Sequence, residues 1–179
     1  MPGHVYVLCG DYAQAIAVSL KAIEVDDRYL DHAGAKNFYT TARCHDLHLL
    51  MYAGMFQGAY GQAMHAAERM TAMASPELLA GCYPYMAAIM DGYSAMRTHV
   101  QVRFGKWREL TLEAPPEHPE LMPVRQAMHF YGKAMAHAAL SETPEAEAAR
   151  RAFDAARGRV PEDHWLLSNL THDILAVGE

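Results

Sequence analysis

The chain has 179 residues, 51% of them hydrophobic, and a formal charge of −6; it is long enough to bury a core and too apolar to be disordered. The acidic balance counts against nucleic acid as a partner, since gripping phosphates needs a basic face, and no apolar run is long enough to span a bilayer. Alanine and methionine are plentiful, valine and isoleucine are few, and no long stretch alternates with period two. This composition predicts an all-α fold.

Taken in order, Pro2 to Cys9 reads as the tail of a first helix. No basic segment precedes its apolar run, so it does not read as a secretory leader. Gly10 breaks it, and Asp11 can cap a second helix, Asp11 to Val25, with Ala15, Val18, Ala22 and Val25 as its packing stripe. Asp27 to Lys36 reads as an insertion with a short helix around Arg28 to His32, ending at Gly34. Phe38 to Phe56 is a long helix carrying Gly54, a residue whose cost of about 1 kcal/mol relative to Ala implies a close helix approach as compensation. Tyr60 to Met73 folds back on it. Ser75-Pro76-Glu77 is a cap, a first-turn proline and an acid at the positive end of the dipole, and starts a brief helix that Gly81 and Tyr83-Pro84 interrupt.

Tyr85 to Phe104 reads as one helix weakened by Gly92 and Ser94, and Trp107 to Leu112 as its stunted partner. Three prolines in Glu113 to Glu120 forbid a helix there. Met122 to Leu140, Thr143 to Arg157 and Pro161 to Val177 are the last three helices. The final one carries Trp165, Leu166, Leu170, Ile174 and Leu175. Those side chains make no polar cap, so the expectation is a homodimer through the terminal helices or a continuation of the array.

One motif recurs. Gln57-Gly58-Ala59-Tyr60-Gly61-Gln62-Ala63 copies Cys9-Gly10-Asp11-Tyr12-Ala13-Gln14-Ala15; Phe104 to Leu110 and Leu140 to Ala146 copy it with more drift. The turn residues Gly10, Gly58, Gly105 and Ser141 are 48, 47 and 36 residues apart. With Ala22 and Asp26, the first copy resembles the second half of a tetratricopeptide repeat, whose usual spacing is about 34 residues. The whole is also similar to a group of bacterial proteins built from degenerate repeats of this kind. The resemblance implies a right-handed superhelix of antiparallel helix pairs over residues 1–179, about four repeats with half-repeats at the ends, as in a piece of a longer array. It specifies an architecture and no chemistry.

In that family the first helix of each pair lines a concave groove. Counted back from the turn residues, the groove positions here are His4 and Leu8; His45, His48, Tyr52 and Phe56; Gly92, Ala95, His99 and Arg103; and Met128, Tyr131, Met135 and Ala139. His4, Tyr52, His99 and Met135 are then equivalent, one per repeat. The candidate ligand-binding residues are His4, His45, His48, Tyr52, His99, Arg103 and Tyr131. Three readings of this cluster stand: a groove for a peptide, protein or small ligand, structural histidines bonded between helices, and a metal or catalytic site on His4, His45 and His48. No phosphate loop, nucleophile elbow or zinc-protease motif is present. Cys9, Cys44 and Cys82 lack metal-type spacing and read as reduced thiols of a cytoplasmic protein. The sequence therefore points to a non-enzymatic binding module without a cofactor.

Overall fold

The computed structural model describes residues 2–34 and 37–178. The end of the expected 27–36 insertion, at residues 35 and 36, lies outside the described residues. The described chain is helical except for one two-stranded hairpin. Its elements are α1 (Pro2–Leu8), α2 (Tyr12–Ala33), α3 (Thr40–Gln57), α4 (Tyr60–Met73), α5 (Pro76–Gly81), α6 (Pro84–Ser94), α7 (Met96–Arg103), α8 (Trp107–Leu112), α9 (Pro123–Ala139), α10 (Thr143–Arg157), β1 (Trp165–Leu166), β2 (Asn169–Leu170) and α11 (Thr171–Ala176).

The four copies of the motif become four copies of one corner. Gly10, Gly58, Gly105 and Ser141 all take a left-handed backbone, with φ of 75°, 78°, 65° and 62°. The next residue in each case donates its N–H five residues back: Asp11 to Tyr6 O, Ala59 to Gly54 O, Lys106 to Gln101 O and Glu142 to His137 O, at 2.8–2.9 Å. That bond closes a Schellman turn on the outgoing helix. The same residue is the N-cap of the following helix, with ψ of 69°, 71°, 54° and 70°. Asp11 adds a side-chain cap, accepting from Gln14 N at 3.2 Å.

Each corner brings two helices together: α1 on α2, α3 on α4, α7 on α8 and α9 on α10. The second helix of a pair packs on the first of the next, α2 on α3 and α4 on α6 and α7. The first helices also touch in series, α1 to α3, α3 to α6 and α7, and these to α9. Close approach is built in at Gly54, where an added Cβ would meet Ala63 Cβ and its backbone nitrogen at 3.3 Å. The main core runs through Ala15, Leu47, Leu50, Met51, Met70 and Met90. A second core joins α9, α10 and α11 through Met128, Phe153 and Leu175.

Three expectations need correction. The second helix does not stop at Val25 but continues to Ala33. Its buried stripe is Ala15, Ile16, Ser19, Ile23, Asp26 and Leu30, whereas Val25 is exposed. Tertiary contacts extend it: Asp26 accepts from the Tyr39 hydroxyl at 2.7 Å, and Asp27 accepts from both Arg43 and Arg69. The helix over 85–104 is broken at Ala95, because the Ser94 hydroxyl donates to Asp91 O at 2.7 Å and the backbone tightens, Ala95 N bonding Gly92 O. Pro161 to Val177 is not one helix. It makes a turn, the hairpin β1–β2 (Trp165 opposite Leu170, Leu166 opposite Asn169) and the short α11.

Candidate functional site

The predicted groove residues sit on the first helices of the four pairs, and most of them connect ring to ring. His4 of α1 stacks on His45 of α3 at 5.1 Å between ring centres. His48, one turn further along α3, lies 5.7 Å from the ring of Tyr93. Burial pushes the His48 pKa down to about 4, and the neighbouring His45 and His99 push the same way. His48 is therefore a neutral imidazole at pH 7, one nitrogen donating and one accepting. His99 of α7 keeps an open edge, and burial of the rest of the ring lowers its pKa. Tyr131 of α9 shares a cavity of about 470 Å³ with His99.

Tyr52 belongs to a second ring series on the same helix. It lies 4.7 Å from Phe56, which stacks at 5.2 Å on Tyr12 of α2. Tyr52 and Phe56 are exposed, at 37% and 51%, so this part of the face is open. Arg103 closes α7, its guanidinium carbon 6.0 Å from the ring centre of Phe104, which in turn meets Tyr60 at 5.2 Å. Arg103 thus sits against a ring at the corner.

His4, His45 and His48 do not converge. The first two face each other ring to ring, and His45 Nδ1 lies 3.3 Å from Asp46 Oδ1. Among the described residues no three His, Cys, Asp or Glu side chains come together as a metal would require. Cys9, Cys44 and Cys82 are free thiols. Burial pushes Cys44 up to about 12, so it is no nucleophile at neutral pH.

The other half of the face is covered by the chain's own C-terminal segment. Leu166 of β1 fills the notch at Gly92, where an added Cβ would meet its Cδ2 at 2.6 Å. Leu175 of α11 is 2% exposed and packs with Ala95 and Met128. Two histidines brace the segment, one within it and one against Val160. The His164 ring (Nδ1) lies 2.8 Å from Thr171 Oγ1, and His172 Nε2 donates to Val160 O at 2.9 Å. Three of the third and fourth repeats' counted positions, Gly92, Ala95 and Met128, are therefore occupied in cis, and the open stretch runs over α1 and α3 to the exposed His99 and Arg103 of α7. The apolar side chains expected on an uncapped terminal helix divide: Leu175 is buried, while Trp165 and Ile174 stay exposed.

Sequence reasoning also missed Asp91, fully buried on α6. Its two oxygens accept from Val124 N at 2.7 Å and Arg125 N at 3.1 Å, capping α9 from another helix. Burial pushes its pKa up to about 7 against the pull of those bonds. An isolated Asp inside a helical pattern carries no sequence signal for a contact 33 residues away. No known protein family, no curated protein and no solved structure matches this chain.

Proposed function

We propose that this chain is a non-enzymatic binding module, a right-handed superhelix of degenerate tetratricopeptide-like repeats that holds a peptide segment or small ligand on the face of α1, α3 and α7. The repeat reading is supported by the four corners of common geometry and by the series contacts of the first helices. One observation carries the binding reading: rings from successive helices form a row, His4 on His45, then His48 by Tyr93, beside the exposed pair Tyr52 and Phe56. Rings bring large contact area at small entropic cost, and imidazole nitrogens supply directional hydrogen bonds. His4, His45, His48, Tyr52 and His99 are the contact residues of this reading, with Arg103 and Tyr131 at its margins.

The test is a displayed random-peptide selection on the full chain. The enriched peptide is synthesised with a fluorophore and titrated against the parent, Tyr52→Ser, His45→Ser and Arg103→Glu. Tyr52→Ser should weaken binding about tenfold or more with unchanged circular dichroism. Enriched peptides that bind parent and variants equally, or no enrichment over an unrelated helical control, would sink the reading. Self-association is a second reading, favoured by the exposed Leu8 and Val177 at the two ends of the stack. Mass in solution that does not rise with concentration would remove it.

A further inference from the structure

We propose that the cavity between the start of α5, the proline-rich loop 113–122 and the first turn of α9 is an oxyanion site, in which Arg125 receives a carboxylate or phosphate group of a ligand. This site is separate from the ring-lined face. The cavity has a volume of about 420 Å³, and Ser75, Pro116, His118, Met122 and Arg125 are among its walls.

Both oxygens of Asp91 are taken by backbone N–H groups of α9. Glu113 Oε1 is shared by Arg97 at 3.1 Å and by Gln101 Nε2 at 2.7 Å. Lys133 donates to Thr111 O at 3.2 Å. Among the described residues the Arg125 guanidinium has one hydrogen-bond acceptor, the Met122 thioether at 3.5 Å. A thioether is a weak acceptor for a group with five donors. Burial lowers the Arg125 pKa while the nearby carboxylates of Asp91 and Glu113 pull it back up; among the described residues neither carboxylate hydrogen-bonds the guanidinium, whose donors face this cavity.

One further donor, the Ser75 hydroxyl, and the imidazole of His118 border the same space. Ser75 Oγ accepts from Leu78 N at 3.3 Å as the cap of α5, which leaves its own proton to donate. His118 sits on the loop, its Nδ1 3.4 Å from Glu120. Glu117 also lines the cavity, but it is exposed, where solvent and salt screen it. A planar guanidinium fork matches a carboxylate or phosphate two bonds at a time, which a chloride ion cannot reproduce.

The experiment is calorimetric titration of the full chain at pH 7.5 with inorganic phosphate and, separately, with acetate, ionic strength held constant with sodium chloride. Backbone amide shifts are recorded in parallel. Saturable binding of one of the two is expected, with shifts at residues 71–76 and 115–125. The anion that binds tighter assigns the ligand group. Arg125→Gln should weaken that binding about tenfold or more. The inference is overturned if neither anion binds beyond the chloride baseline, if the shifts fall elsewhere, or if Arg125→Gln binds as the parent does. Should Arg125→Gln fail to fold, the parent's shift map alone decides.

Discussion

Replacing Asp91 with alanine tests the long-range anchor between α6 and α9. The substitution strips the acceptor from two backbone N–H groups, Val124 N at 2.7 Å and Arg125 N at 3.1 Å. Val124 is 3% exposed, so water does not readily replace the carboxylate there. Leaving a buried donor unsatisfied costs about 1–3 kcal/mol, and losing an N-cap side chain about 0.5–2 kcal/mol. The two figures overlap, since the lost cap is the same N–H bond, and relief from burying an acidic group offsets part of the cost, so the net loss should be about 2 kcal/mol. For a chain of this size that is a fall in Tm of roughly 4–8 °C. Asp91→Asn keeps one acceptor oxygen and should lose only about 1 kcal/mol. Scanning calorimetry of both variants at pH 6 is the assay. An Asp91→Ala protein within 2 °C of the parent would refute the reasoning and leave α9 held by packing alone.

Ser141 is the one non-glycine among the four left-handed corners, at φ 62°; Ser141→Gly should raise stability by up to about 1 kcal/mol in urea denaturation, since the strain relieved exceeds the freedom glycine adds to the unfolded chain. His129 is 6% exposed, and burial, with Lys133 and Arg125 nearby, holds its pKa down at about 4. The unfolded chain therefore takes up a proton that the folded one refuses between pH 6.5 and 4. His129→Gln should reduce acid destabilisation over that range by up to about 3 kcal/mol, read from urea midpoints at four pH values. Asp91 works in the opposite direction. Its folded pKa is raised from 3.8 to about 7, so its contribution is complete below pH 3.8 and lost as pH rises to 7, and Asp91→Asn should flatten that part of the profile. Leu175→Ala should loosen the C-terminal cover and speed chymotryptic cleavage within residues 161–178 at least tenfold, with residues 2–157 intact; uniform cleavage along the chain would instead mean that cover and helices unfold together.

What the sequence determined by itself is the four helix corners closed within one turn. The four corners depend on bonds between residues five apart and on a residue that tolerates positive φ. Gly10, Gly58 and Gly105 announce this, and the bounds of α4, α8 and α10 were readable to the residue. The same period placed His4, His45, His48, Tyr52, His99 and Tyr131 on the first helix of their pairs. Tertiary structure decided what lies against those faces. The hairpin β1–β2 turns through Leu167 at φ 54°, a conformation that no rule assigns to leucine, so its sequence mimics a helix. Leu166 leaves the helical pattern because the notch at Gly92 offers burial that an isolated helix lacks. Asp91 caps a helix 33 residues away, and α2 runs past Val25 because Tyr39, Arg43 and Arg69 meet its end. Local periodicity encodes which residues share a face. Which faces stay open is fixed by the total apolar area that the whole chain can bury, a sum over distant segments that no window of sequence contains.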